Sequence, residues 1–219
     1  MKSMAIRKEL CKYADKIVKN RLVVGPGGNI SARFEGKMYL SPSGFALDEI
    51  EPEQWVEVDI KTGEVTDNGL RPSSEVLMHL YAYQANDEIQ AIVHTHPPNC
   101  IAFTLLDEDL PIMFPDQAAL VGRTARIPYV MPTDEKLANA LLPKVNEASS
   151  ILLMNHGLVT TGRNLREAYY RTEVVEESAK IYIIASSIKE PKILTEEEFQ
   201  EIANLESEKY RIKLLQEQK

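Results

Sequence analysis

The segment Ala91-Ile92-Val93-His94-Thr95-His96-Pro97-Pro98 reads as a buried apolar strand that ends in two histidines and is cut off by two prolines. Side chains alternate between the faces of a strand, so His94 and His96 project to the same side and can reach one metal ion. A third histidine follows in Asn155-His156-Gly157, just after a second apolar run, Ile151 to Met154. Three of the chain's 4 histidines therefore lie at ends of expected strands, beside small residues or prolines. The fourth, His79, follows Glu75 by four residues inside a helical pattern and reads as an ordinary helix-face histidine.

Upstream of this segment, Ile6, Leu10, Tyr13, Ile17 and Val18 recur at helical spacing, predicting an amphipathic helix from Ala5 to Asn20. Gly25-Pro26-Gly27-Gly28 breaks it. Short alternating runs at Asn29 to Phe34, Met38 to Ser41 and Trp55 to Ile60 predict a meander of strands. A helix is expected from Ser74 to Ala85, and the His94 strand, Ile89 to Thr95, follows.

Downstream, the pattern predicts a short helix at Asn99 to Leu106 and weak strands near Pro111 to Phe114 and Arg126 to Val130. A helix at Asp134 to Asn146, the strand at Ile151 to Met154 and a long helix at Leu165 to Ile188 come next. Thr195-Glu196-Glu197-Glu198 reads as the capped start of one last, charged helix. No repeat or linker divides the chain, so residues 1–219 are expected to form a single domain.

A chain of 219 residues with 44% hydrophobic content is large enough to bury a full core. No run approaches the roughly 18 to 20 apolar residues of a membrane span, and the N-terminus lacks an apolar signal core, so a cytoplasmic protein is expected. Cys11 and Cys100 stand far apart without a CxxC context and read as reduced thiols, which leaves nitrogen and oxygen as metal donors. A net charge of −8 argues against nonspecific nucleic-acid binding, and it leaves open a small anionic substrate.

Three histidines with one carboxylate suit a borderline divalent ion such as zinc or manganese. Pro72-Ser73-Ser74-Glu75 supplies hydroxyls and backbone N–H groups at the start of a helix, a pattern that serves either as an N-cap or as an anion cradle. Gly27-Gly28-Asn29 and Ser41-Pro42-Ser43-Gly44 are two more donor-rich turns that could converge on one phosphate. Gly157 reads equally as a turn residue and as room for a ligand.

Taken in order, Gly28-Asn29-Ile30-Ser31, Ser43-Gly44, Ser73-Ser74-Glu75, His94-Thr95-His96 and Asn155-His156-Gly157 resemble the class II aldolase and adducin head family. The likeness runs from about residue 5 to residue 190 and is greatest for the L-fuculose-1-phosphate aldolase branch, which splits ketose 1-phosphates into dihydroxyacetone phosphate and an aldehyde. It implies a three-layer α/β/α fold with a largely antiparallel central sheet, and a homotetramer with sites between subunits. It further implies one divalent ion per subunit, zinc first, with manganese or cobalt as alternatives. Under this resemblance His94, His96, His156 and Glu75 hold the ion, with Glu75 acting as acid or base once substrate displaces it. Gly28, Asn29, Ser43, Gly44, Ser73 and Ser74 bind the phosphate end of the sugar phosphate, and the Asn29 amide lies near the enediolate oxygen. The chemistry is self-consistent, since cleaving a carbon–carbon bond β to a carbonyl leaves an enediolate whose charge a divalent ion offsets without a Schiff-base lysine.

The same family holds sugar-phosphate 4-epimerases, methylthioribulose-1-phosphate dehydratases, phospho-keto-acid decarboxylases and the noncatalytic adducin scaffold. Glutamate after the paired serines leans toward the aldolases, because the epimerases carry aspartate there. The chain departs from its relatives at Phe114-Pro115-Asp116-Gln117-Ala118, where the aldolase tyrosine falls on Pro115 and the epimerase and dehydratase acids fall near Ala118. Asp116 and Gln117 are then the nearest polar candidates for protonating the leaving aldehyde, and Tyr210 in the last helix is another. An apolar Phe114–Pro115 rim would suit a small deoxy aldehyde.

Overall fold

A computed structural model describes residues 2–66, 69–133 and 135–217. Seven strands form one sheet: β1 (Asn29–Phe34), β2 (Lys37–Leu40), β3 (Val56–Asp59), β4 (Ala91–Thr95), β5 (Ala125–Ile127), β6 (Ser150–Leu153) and β7 (Gly157–Gly162). Their order is β3-β2-β1-β4-β7-β6-β5, and every neighbouring pair is antiparallel except β5–β6.

The alternation of β1 and β4 sorts side chains between two cores. Ile30, Ala32, Ala91 and Val93 pack with Leu10, Tyr13 and Ile17 of α1 (Lys2–Lys19) and with Leu165, Ala168 and Tyr169 of α5 (Leu165–Ile188). Ile92 faces the other way, joining Met78, Leu80 and Tyr83 of α2 (Val76–Ala85) and Leu137 and Leu141 of α4 (Glu135–Leu141). Each of the larger side chains among them, such as the isoleucines and leucines, contributes roughly 1.5–3 kcal/mol of apolar transfer. Helices thus cover both faces of a largely antiparallel sheet in three layers. Helix α3 (Pro98–Thr104) packs through Cys100 and Phe103 with Leu152, Leu158 and the Val175 and Ala179 positions of α5.

Several expectations change. No strand forms at 111–114: Met113 N–H bonds the Gln117 side chain and the Ile112 carbonyl accepts from Leu194, so these backbone groups find partners outside the sheet. Strand β7 went unread in the sequence, although it is central in the sheet. Its Leu158-Val159-Thr160-Thr161 core is brief, and glycines bound it at both ends. Helix α4 stops at Leu141 because Pro143 disfavours helical geometry just before it, and a 3₁₀ turn at Lys144–Asn146 follows. The expected first residue of that helix, Asp134, lies outside the described residues. The last helix is two, α6 (Glu196–Asn204) and α7 (Glu206–Glu217), separated where Leu205 adopts extended ψ. Thr195 caps α6 with a reciprocal Glu198 bond, as its sequence suggests. Among the described residues both cysteines are free, and no helix is long and apolar enough to cross a membrane.

Candidate metal centre and active site

His94 follows Ile92 on the α2 side of β4, and His96 continues that side just beyond the strand, where its N–H bonds the Leu22 carbonyl at 3.0 Å. His156 arrives from the neighbouring hairpin: β6 and β7 pair Leu153 with Gly157, leaving a tight loop of Met154, Asn155 and His156 with Asn155 at φ +57°. Gly157 is demanded by packing, since a Cβ there would stand 2.4 Å from the Thr95 carbonyl oxygen and 2.9 Å from the His96 ring. Glu75 stands at the N-cap position of α2 without a side-chain capping bond, which leaves its carboxylate free to face His94 and His156.

The three imidazoles offer donor nitrogens within 4.8 Å of one another. His94 Nδ1 lies 3.0 Å from the Leu158 carbonyl, which turns its Nε2 toward Glu75 Oε2, 3.2 Å away, and toward His96 Nε2, 3.1 Å away. His156 Nε2 stands 3.6 Å from Glu75 Oε1. Glu75 Oε1 and His156 Nδ1 are buried and have no hydrogen-bond partner among the described residues. Buried polar atoms are rarely left in that state without a ligand to satisfy them. An orphaned carboxylate oxygen beside three histidine nitrogens is a donor set that fits a divalent ion.

Burial works against charge on His96 and His156, and the neighbouring His94 adds to it, so both titrate down at about 4 and are neutral at physiological pH. Neutral imidazole is the form that binds a metal. Burial also opposes the ionised Glu75, yet charge and hydrogen bonding from His94 and the Asn29 amide outweigh it and hold the carboxyl well below its usual range. The same partnership lifts His94 above its ordinary value against its own burial.

Beside the imidazoles opens a cavity of about 320 Å³. Gly28, Asn29, Ser43, Gly44, Ser73 and Ser74 all line it, together with Glu75, His96 and His156. Two isolated contacts hold its rim: Ser43 N–H bonds the Arg71 carbonyl and Ser73 N–H bonds the Ser41 carbonyl, with Pro42 and Pro72 bridged between them. The Ser73 hydroxyl accepts from Glu75 N–H at 3.3 Å. Gly28 sits at φ +72°, and a Cβ there would meet Val23 at 2.6 Å and the His94 carbonyl at 2.8 Å. Pro132 and Thr133 also line the cavity, Thr133 at φ +68°. The sequence reading missed both, and a Met-Pro-Thr run after a weak strand carries no signal beyond a turn.

Other expected residues lie elsewhere within the chain. Gln117 is buried with its amide committed to backbone, accepting from Met113 N–H at 2.9 Å and donating to the Pro111 carbonyl at 2.8 Å. Asp116 pairs with Arg211 at 2.8 Å, and with Phe114 it lines a separate cleft against α5 and α7. Tyr210 projects from α7, 64% exposed, and does not line the histidine cavity. His79 does lie on helix α2, but it is fully buried and bonded to Asn29. Burial, with His94 nearby, depresses it to about 3, so it is neutral.

The chain is 36% identical to an L-fuculose phosphate aldolase of Methanococcus maripaludis over 183 residues, covering 83% of this chain and 98% of that one. It is also 36% identical over 200 residues to a 5-deoxy-D-ribulose 1-phosphate aldolase of Bacillus thuringiensis, covering 90% and 93%. A solved structure of an L-fuculose 1-phosphate aldolase superposes with a TM-score of 0.85 at 34% identity, over 94% of this chain and 96% of the other. The sequence pattern of the Class II Aldolase and Adducin N-terminal domain matches residues 8–183, a span that contains all three histidines, Glu75 and the cavity turns. With the mostly antiparallel sheet and its three-histidine corner already in place, that match makes this chain a member of the class II aldolase and adducin family.

Proposed function

We propose that the protein is a metal-dependent aldolase that cleaves a ketose 1-phosphate, fuculose-like or 5-deoxypentulose-like, into dihydroxyacetone phosphate and a small aldehyde. The observation that carries this reading is the convergence of Glu75, His96 and His156 with six donor-rich turn residues on one cavity, His94 lying buried beneath it. His94, His96, His156 and Glu75 would hold the ion, zinc first, with manganese or cobalt as alternatives. When bound, the ion supplies a Lewis acid that offsets the negative charge developing on the substrate oxygens.

The chain's own residues do the rest. Gly28, Ser43, Gly44, Ser73 and Ser74 take the phosphate, fixing the sugar in one register. Cleavage requires the C4 hydroxyl to lose its proton while the C3–C4 bond breaks, the bonding pair passing into the C2–C3 enediolate. The Asn29 amide would donate toward that enediolate, and the ionised Glu75 would take up the C4 hydroxyl proton, relayed through Tyr210, and return it to C3. Tyr210 handles the aldehyde oxygen from a neighbouring subunit in a homotetramer. Its exposure on α7 and the exposed Ile184 and Ile188 on α5 support that arrangement.

The test is a coupled assay for dihydroxyacetone phosphate release from fuculose 1-phosphate and 5-deoxyribulose 1-phosphate. Metal-loaded protein is set beside an EDTA-treated sample and Glu75→Gln. Release that needs the ion and is lost in the variant is the expected result. Bound ion with no release from any ketose 1-phosphate would overturn the aldolase reading and turn attention to epimerase, dehydratase or decarboxylase chemistry.

A further inference from the structure

Two periodicities meet beneath the cavity. On α2, Glu75, His79 and Tyr83 are spaced four apart and share one face, and on β1, Asn29 and Ser31 share the face opposite them. Their polar groups interlock. The Tyr83 hydroxyl lies 2.8 Å from Ser31 Oγ, Ser31 Oγ lies 2.7 Å from His79 Nδ1, and His79 Nε2 lies 2.6 Å from Asn29 Oδ1. Asn29 Nδ2 then donates to Glu75 Oε2 at 2.7 Å. Tyr83, Ser31 and His79 have no exposed surface, and Asn29 retains 4%.

Counting hydrogens orients the whole chain. The Glu75 carboxylate only accepts, so Asn29 must present its NH₂ to it and its carbonyl oxygen to His79. That oxygen also only accepts, so His79 carries its proton on Nε2 and receives the Ser31 hydroxyl proton at Nδ1. Ser31 in turn accepts from Tyr83. Every donor points toward Glu75, the arrangement in which successive bonds polarise one another. An Asn29 amide flipped end for end would set its oxygen against the carboxylate at the same short distance, and His79 is the group that opposes the flip.

We infer that His79 is a positioning residue, which fixes the Asn29 amide and through it the Glu75 carboxylate at the metal centre. The inference rests on Glu75 acting at that centre, as the proposed function has it. Outer partners of this type typically alter activity or metal affinity about 10- to 100-fold when removed.

The experiment compares His79→Leu, His79→Gln and Ser31→Ala with the parent, each loaded with cobalt(II), reading the visible cobalt spectrum, kcat, KM and the melting temperature. His79→Leu is expected to shift the cobalt bands at full occupancy and lower kcat about 10- to 100-fold, with KM within about threefold. His79→Gln, whose amide can still donate to Asn29 Oδ1, is expected to restore both spectrum and kcat. Ser31→Ala, which leaves the Asn29 bond in place, gives a smaller loss and stands in if His79→Leu fails to fold. Parent-like spectrum and kcat in His79→Leu would overturn the inference. So would losses in His79→Leu and His79→Gln that are equal and track the melting temperature. If the parent releases no dihydroxyacetone phosphate while the cobalt bands respond as stated, the positioning role stands and the aldolase reading falls.

Discussion

Asn29 stands directly opposite His94 in the antiparallel ladder of β1 and β4. One reaches Glu75 Oε2 by its amide at 2.7 Å and the other by its imidazole at 3.2 Å, so one rung of the sheet grips the carboxylate from two strands. Strand register is thereby part of the site, because a slip of one residue would turn either side chain to the α1 and α5 face.

Asn29→Ala removes one grip and leaves the buried His79 Nε2–H without its acceptor. Unsatisfied buried groups cost about 1–3 kcal/mol, so the metal-free protein should unfold at correspondingly lower denaturant, and activity should fall with it. Urea titration of the EDTA-treated variant checks the first part. An unchanged midpoint would mean that water replaces the amide at no cost.

Metal should stabilise the fold by mass action, about 4 kcal/mol at a thousandfold excess over the dissociation constant. Adding zinc, manganese or cobalt to EDTA-treated protein is expected to raise the melting temperature, and His96→Ala or His156→Ala is expected to abolish the rise. An ion-dependent rise that survives both substitutions would place the ion elsewhere.

Acid should weaken the metal-free protein through its buried histidines. His96 and His156 bind their protons near 4 and His79 near 3 in the folded chain, against 6.5 for an unperturbed imidazole. Between those values the unfolded chain holds more protons, so stability declines as pH falls from about 6.5 to about 4. Each group contributes up to about 1.4 kcal/mol per pH unit. His94, raised instead, stabilises the fold below 6.5 and loses that contribution only as pH climbs through its folded value, so it does not reverse the trend. Glu75 adds to the acid loss below its unfolded value of 4.5, because its folded value is lowered. Melting curves between about pH 7 and about pH 4 in EDTA measure this, and a flat profile would contradict it.

Gly157→Ala forces a methyl group to within 2.4 Å of the Thr95 carbonyl and 2.9 Å of the His96 ring. Overpacking of this kind costs about 1–3 kcal/mol, and here it also displaces an imidazole. Reduced metal content together with a lower melting temperature is expected, whereas full occupancy at normal stability would show that the hairpin yields freely.

Gln117→Ala should cost about 1–3 kcal/mol by releasing the Met113 N–H and the Pro111 carbonyl, while bound metal stays at the parental level. A selective loss of turnover without loss of stability would instead restore Gln117 as a candidate proton donor.

The sequence displayed the histidine cluster better than its surroundings, for reasons rooted in periodicity. His94 and His96 share a strand face whatever the rest of the chain does, and the helix after Ser73-Ser74-Glu75 was legible to within two residues of its start at Val76. Strand β7 escaped notice because Leu158 to Thr161 is short and bounded by glycines, and its place between β4 and β6 depends on long-range pairing. His79 looked ordinary because its meaning comes from Asn29 and Ser31, some fifty positions away in sequence. Within one chain Phe114 lies apart from the histidine cavity, for a similar reason. Nothing local says that Phe114 turns toward α5 and α7 while Pro132 and Thr133 close the cavity.

The histidines grow from the sheet and its tight hairpin, whereas Pro26, Ser43, Gly44, Pro132 and Thr133 come from turns outside the seven strands. Anchor and aperture are therefore built from different stretches of chain. Exchanging a few turn residues would redraw the mouth of this cavity while the histidine positions on the sheet stayed in place.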